Sequence, residues 1–365
     1  MNKKVILVCI GMVLLASCAS QEAQLQTQKT KTFGVILPMT GSASFYGQYA
    51  RYGIEIAIED LDRKGGINGV PVRFVIEDSR SDKTEATTLA QRMISVDDVD
   101  ALFTITTSMA GAIAPIAEQN KIPFVYGAST NSFAINKTYV FKDYPDFADQ
   151  CELLAREVLN EGHTKIALFG TNAEFTQNCK LGAERVISLV AYEVATAGDA
   201  DMRAQFTKIQ NSGSTALILS VLANDCPNAF KQLRELGLKN QLFIAGQSFT
   251  CGTDALTSVN KDLLLNARGA DLKINESDPV YAGFKQRLDA KGNALYVRGS
   301  GMMYDDILMV AKALENCPDA LCTVQKLKTA AYRGVTGTLN YNGDTVVDRE
   351  LMLTRFEADS WKPLE

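Results

Sequence analysis

A single histidine, His163, serves the whole chain. That scarcity removes histidine-based acid–base chemistry and His-rich metal sites from consideration. Basic residues are not in excess: 37 Lys and Arg face 42 Asp and Glu, a formal charge of −5. The basic face that nucleic acid requires is therefore missing, and no nucleic-acid partner is expected. The eight cysteines contain no CxxC pair, which argues against zinc. Gly41 and Gly47 stand six apart with no GxGxxG between them and no P-loop lysine, so the first glycine-rich turn is a poor phosphate cradle. Adjacent acids such as Asp97–Asp98 and Asp305–Asp306 point apart on a helix and read as solvated faces. No nucleophile–base constellation remains, so neither catalysis nor a cofactor is expected.

What is present begins at the N-terminus. "MNKKVILVCIGMVLLASC" places Lys3 and Lys4 before an apolar run, Val5 to Leu15, and then small residues. This is the pattern of a secretory signal over residues 1–17 and is short for a spanning helix. "LASC" resembles a bacterial lipobox, which makes Cys18 a lipidation site; a signal cut elsewhere is the alternative. Each buried acyl methylene contributes about 0.8 kcal/mol, so lipid chains would hold the protein on a membrane. Residues 18–31 are polar and read as a flexible tether, on the order of 20 Å in root-mean-square span. Setting aside Cys9 and Cys18 leaves six cysteines, an even number suited to an oxidising compartment. About 15 pairings are open to six. Local geometry favours Cys317 with Cys322 in the turn "CPDALC", Cys226 with Cys251 after two strand-like runs, and Cys151 with Cys179 near two helix starts. Free buried thiols are the alternative.

Along the rest of the chain, apolar strand-like runs alternate with helical patterns. "KTFGVIL" reads as a strand, and Tyr46, Ala50, Ile54, Ala57, Ile58 and Leu61 then recur at helical spacing. Strand–helix alternation continues through "VRFVIEDS", "VDALFTIT" and "IPFVYGAS". A second series starts near Phe147 and runs through "KIALFGTN", "AYEVATA", "ALILSVL" and "QLFIAGQS". Such alternation implies parallel sheets covered by helices. Near the end, "GTLNYNGD" and "ELMLTRFEAD" flank Asn342–Gly343 as the arms of a hairpin would. His163 falls in a turn, where a solvated role is expected. At 365 residues the chain suggests two domains.

The order of "ILPMTGSASFYG", "AIEDLDRKGGINGVPVRFVIEDSRSDKTEAT" and "YRGVTGTLNYNGD" resembles the successive signatures of type I periplasmic binding proteins. The likeness is greatest to the branched-chain amino-acid (leucine/isoleucine/valine) binding group that serves ABC importers. "YDD" at Tyr304–Asp306 is similar to that family's late helix, and the likeness runs from about Thr32 to the C-terminus. The resemblance implies an α/β fold of two doubly wound parallel-sheet domains joined by three crossing segments. The crossings are expected near Lys142–Pro145, Gly269–Leu272 and Arg333–Gly337. One lobe would comprise residues 32–143 and 271–333, the other 144–270 and 334–365.

The same resemblance implies that Tyr46 stacks on a ligand in the cleft between the lobes. Thr107 and Ser108 stand where a strand gives way to a helix, and their hydroxyls and free N–H groups suit a carboxylate. Ala128, Ser129 and Thr130 follow the next strand at a position where the family holds a ligand's amino and carboxylate groups. Helix capping is the alternative at both turns. In the second lobe Phe175, Leu222 and Ser248 fall at ligand-contacting positions, but Phe175 lacks a tyrosine's hydroxyl and Ser248 stands where the branched-chain binders have an acid. An α-ammonium in a closed cleft needs such an acceptor; Asp225, Asp254 and Glu174 are substitutes, each also readable as an ordinary surface acid. The expectation is a monomeric, lipid-anchored and exported receptor that closes on a small polar solute (an amino acid, amide or organic acid) and presents it to an ABC permease. The alternative keeps the fold for a ligand-sensing or envelope-protein-regulating lipoprotein without transport.

Overall fold

The computed structural model describes residues 30–171, 173–246, 250–252, 260–292, 297–358 and 360–364. The leader, Cys18, the tether up to residue 29, Ser248 and Asp254 lie outside the described residues.

Strand β1 (Lys31–Leu37) begins one residue inside the expected tether and is buried along almost its whole length. Phe33, Val35 and Leu37 join one core while Ile36 joins another, the period-two split of a strand covered on both faces. Helix α1 (Ser44–Arg63) follows, then β2 (Val72–Asp78), α2 (Lys83–Ser95), β3 (Ala101–Ile105), α3 (Thr107–Asn120), β4 (Phe124–Gly127) and β5 (Val140–Lys142). These strands form an all-parallel sheet in the order β2-β1-β3-β4-β5.

The chain then passes to a second unit: α4 (Phe147–Asn160), β6 (Ile166–Gly170), α5 (Ala173–Ala183), β7 (Leu189–Val194), α6 (Arg203–Asn211), β8 (Ala216–Ser220), α7 (Cys226–Glu235), β9 (Gln241–Ala245), a short α8 (Lys261–Leu264) and β10 (Arg268–Leu272). It returns through α9 (Pro279–Ala290), α10 (Val297–Leu314), α11 (Ala320–Thr329) and the hairpin β11 (Tyr332–Gly334) with β12 (Gly337–Leu339). Strands β13 (Leu351–Glu357) and β14 (Ser360–Pro363) complete the larger sheet, ordered β14-β13-β10-β9-β8-β6-β7. Its strands from β7 to β10 are parallel, and β13 and β14 add an antiparallel edge.

Helix α10 comes late in the chain yet packs on the smaller sheet's side, against α1. Ser300 Oγ donates to the Tyr49 carbonyl at 2.8 Å. Asp60 on α1 accepts from Tyr304 Oη at 2.7 Å and from Arg287 on α9 at 2.8 Å. Both lobes are thus assembled from separate stretches of sequence.

Two sequence expectations are revised. Asn342 and Gly343 do form a tight turn, with φ of 51° and 88°, but its flanks do not pair with each other. β12 pairs with β11, and β13 lies between β10 and β14. The two-residue loop Val335–Thr336 joins β11 to β12 in a hairpin of their own, and the later strand pairs in the larger sheet. The stretch Gly269–Leu272, expected as a crossing, is strand β10, bonded to β9 and β13, and the chain leaves the larger sheet after it.

Three disulfides are formed: Cys151–Cys179 between α4 and α5, Cys226–Cys251 between the start of α7 and the segment after β9, and Cys317–Cys322 across the turn from α10 to α11. No helix among the described residues is long and apolar enough to cross a membrane.

Candidate functional site

Strand order reverses between β1 and β3 in the smaller sheet and between β6 and β8 in the larger. Doubly wound sheets bind ligands outside the carboxyl ends of their strands at such reversals. Here the loops leaving β1, β3 and β4 and those leaving β6, β8 and β9 surround one cleft of about 120 Å³, room for several waters or a small organic molecule.

The first wall is built on hydroxyl-bearing turns. After β1 the chain must reverse into α1 in very little room: Gly41 takes φ +85°, and a Cβ on Gly47 would stand 2.4 Å from the Pro38 carbonyl oxygen, so glycine is required at both positions. Asp78 ties this loop down by accepting from the Met39 and Thr40 amides and the Thr40 hydroxyl, at 2.9, 3.2 and 2.7 Å. Burial works to raise the Asp78 pKa, but these bonds and the Arg80 amide outweigh it and hold the carboxyl below its ordinary value. Tyr46 is thereby delivered into the cleft, packed edge-on against Phe45 and Tyr49 at 5.3 and 5.9 Å between ring centroids. Burial holds the phenols of Tyr46, Tyr49 and Tyr144 well above their ordinary pKa, so all three stay protonated. After β3 and β4, Thr107 Oγ1 and Ser129 Oγ share a hydrogen bond of 2.5 Å.

The second wall is mostly apolar: Phe175 and Leu222, with the Thr250 hydroxyl donating away to the Ala245 carbonyl at 2.9 Å. Phe147, just past the first crossing, packs against Phe175 with the rings tilted and their centroids 4.0 Å apart. The two walls touch at the mouth. Asn224 Nδ2 donates to Ser44 Oγ at 2.9 Å, its Oδ1 accepts from the Phe45 amide at 3.2 Å, and the Ala223 amide donates to Tyr46 Oη at 3.4 Å. The described state is a closed one.

Of the residues singled out in the sequence, Tyr46, Thr107, Ser108, Ala128, Ser129, Phe175 and Leu222 all line the cleft. Thr130 does not: its hydroxyl donates to Ser132 Oγ at 3.1 Å. Asp225 is buried away from the cleft, where it accepts from the Gly198 amide at 3.0 Å. Glu174 accepts from Ser108 Oγ at 3.4 Å. His163 bonds Thr215 and Gln241 at the far end of the strands. Ser42, Tyr49, Thr106, Tyr144, Phe147 and Met302 also line the cleft and were missed. Tyr144 could have been found as an aromatic within the expected first crossing and Phe147 as one just past it; Met302, on α10, could not.

None of the described lining residues carries a formal charge. Nor do the described residues gather three or more His, Cys, Asp or Glu side chains fit to hold a metal ion.

Charge is concentrated instead where the lobes join. Arg349, between β12 and β13, donates to Asp143 Oδ1 just after β5, at 2.8 Å from Nε and 2.5 Å from Nη2, and to the Thr336 carbonyl at 3.1 Å. Asp305 on α10 accepts from the Val335 and Thr336 amides at 2.7 and 2.8 Å and from the Thr336 hydroxyl at 2.6 Å. All these side chains are buried. Burial raises the Asp305 carboxyl to about 7, with the Thr336 and Val335 bonds opposing. Burial, and then the neighbouring Asp143, raise Asp306 well above the carboxylate range, so it carries a proton. Lys142, also buried, is pulled down by desolvation to about 8 and donates to the Tyr144 carbonyl.

Comparison with known proteins agrees with this architecture. A family model described as "Periplasmic binding protein" matches residues 30–360. "Leu/Ile/Val-binding protein homolog 3" of Brucella melitensis is 23% identical over 307 residues, covering 78% of this chain and 83% of the relative. Among solved structures, the branched-chain amino acid transporter substrate-binding protein of Streptococcus pneumoniae, in complex with isoleucine, superposes with a TM-score of 0.82 at 19% identity, covering 92% of this chain and 100% of that one. An ABC-transporter solute-binding protein of Rhodopseudomonas palustris HaA2, in complex with p-hydroxybenzoic acid, gives 0.81 at 19% identity, covering 92% and 96%.

Proposed function

The chain belongs to the periplasmic binding protein family, and from that premise we propose that it is the solute receptor of an ABC importer. It binds and releases its solute without chemistry. Exported and anchored through lipid on Cys18, it works as a monomer whose closed form is recognised by a membrane permease. Tyr46, Thr107, Ser108, Ala128 and Ser129 hold the solute from the first lobe, and Phe175 and Leu222 cover it from the second.

The observation that carries the choice of solute is that none of the described residues lining the cleft carries a formal charge. A buried ammonium without an acceptor is heavily penalised. A carboxylate is better served, because the start of α3 offers N–H groups and the hydroxyls of Thr107, Ser108 and Ser129 surround it. The favoured guest is therefore a monocarboxylate with a flat or branched apolar body that the rings of Tyr46 and Phe175 enclose. The p-hydroxybenzoic acid bound by the Rhodopseudomonas palustris relative has this character; the isoleucine bound by the Streptococcus pneumoniae relative adds an ammonium.

A thermal-shift series with p-hydroxybenzoate, benzoate, 4-methylpentanoate, L-leucine, L-isoleucine and benzamide tests the reading. Carboxylates lacking an ammonium should raise the melting temperature most. A protein that responds to L-leucine and L-isoleucine but not to the simple acids overturns the choice of solute, and one that responds to none favours the sensor role.

A further inference from the structure

Thr106, the residue between β3 and α3, has φ +79° and ψ 146°. Glycine enters this part of backbone space readily; a β-branched residue almost never does. The conformation is imposed from both sides. The Thr106 amide donates to the Gly127 carbonyl at 3.1 Å and so extends the β3–β4 ladder, while its carbonyl accepts from the Ala110 amide at 3.1 Å and so opens the helix. Any residue here must adopt this backbone, and threonine adopts it at a cost.

The side chain does not repay that cost within the protein. It makes no capping bond to α3, and its hydroxyl has no hydrogen-bond partner among the described residues. Its neighbours differ: Thr104 donates to the Ile36 carbonyl at 2.6 Å, and Thr107 is bonded to Ser129. Thr106 is only partly buried and lines the cleft.

We propose that Thr106 is a specificity-determining residue of the cleft, its strained backbone holding a hydroxyl and a methyl against the bound solute where glycine would leave open space. The hydroxyl bonds a polar group of the solute, and the methyl limits its length at that end. This assignment rests on the solute-receptor reading above. Strain kept at a ligand-facing position, with no side-chain hydrogen bond among the described residues to offset it, is the pattern of a site shaped for a guest.

The test compares wild type with Thr106→Gly, Thr106→Ala and Thr106→Ser, using ligand-free melting and calorimetric titration with p-hydroxybenzoate, 4-methylpentanoate and L-isoleucine. Thr106→Gly should melt about 2 °C or more above wild type without ligand. Its affinity for the probe that wild type binds best should fall about tenfold, and the ranking of the three probes should change. Thr106→Ser should keep the affinity to within about threefold and Thr106→Ala should not, because only the first retains the hydroxyl. Unchanged affinity and ranking in Thr106→Gly overturn the proposal, as does a lower ligand-free melting temperature. If no probe binds wild type, the solute reading falls and takes this role with it; if probes bind wild type and Thr106→Gly alike, only the role of Thr106 falls.

Discussion

The cleft and the hinge deal with polar groups differently. Around the cleft the described lining offers hydroxyls, amides and rings without a formal charge. At the hinge Asp143, Asp305, Asp306 and Arg349 are buried together, and each of the first-lobe carboxylates Asp143 and Asp305 bonds to a group on a crossing or its flank. Charge–charge bonds are strongly directional and costly to leave half-made. They suit a joint that keeps its shape. An uncharged cleft can fill with water when open and surrender that water to a guest at little cost. The buried ion pair thus stands apart from the described lining of the cleft.

The contrast can be broken most severely at Arg349. Arg349→Met leaves Asp143 buried without its cation, and urea unfolding should show a loss of about 3–5 kcal/mol; a loss below about 1 kcal/mol would mean that the cluster is no more than a surface-like pair. Next comes the proton on Asp305. Its carboxyl titrates at about 7 in the folded chain against 3.8 as the ordinary value, so the native state holds a proton that the unfolded chain has released. The stability from this site is complete below the unfolded value and is lost as pH rises through about 7. Between pH 5 and 8, wild type should lose stability relative to Asp305→Asn on the order of 2 kcal/mol, and parallel pH profiles would refute this.

On the cleft side the expected effects are smaller. Tyr46→Ala should weaken binding of the best carboxylate probe by about 1–2 kcal/mol in calorimetry, whereas Tyr46→Phe keeps the ring and should lose less than half of that. Equal losses in the two variants would assign the effect to the hydroxyl bonded to Ala223 rather than to stacking. Smallest is the mouth. Asn224→Ala removes both bonds to Ser44 and Phe45 and should speed probe release by an amount worth about 0.5–1 kcal/mol, seen in stopped-flow dissociation; an unchanged rate would show that those bonds do not hold the cleft shut.

Much of the fold was legible because parallel strands buried on both faces write continuous apolar runs, as in "KTFGVIL" and "ALILSVL", separated by helical spacing. The cleft residues at strand ends were legible for a related reason: the fold family fixes which turns face the gap, and Tyr46, Thr107 and Ser129 sit in those turns. The hinge was not. Asp143, Asp305 and Arg349 are separated by 162 and 44 positions, and nothing in the local pattern says that they meet; Asp305–Asp306 reads as a solvated pair until both are seen to lie on the buried side of α10. The Asn342–Gly343 hairpin failed because turn chemistry reports a reversal and not which strand lies beside it. Thr106 escaped notice because a strained φ leaves no mark when the residue is not glycine.

The disulfides have a bearing on motion. Each bridge joins neighbours within one lobe, and none of the three ties the smaller sheet's half to the larger sheet's half. Oxidation therefore stiffens the two shells and leaves the axle between them untouched. A reductant would soften the larger half first, since it carries two of the three bridges and one of them, at Cys226, stands four residues from Leu222 on the gripping surface. The loss would register on the second wall of the cleft and spare the joint.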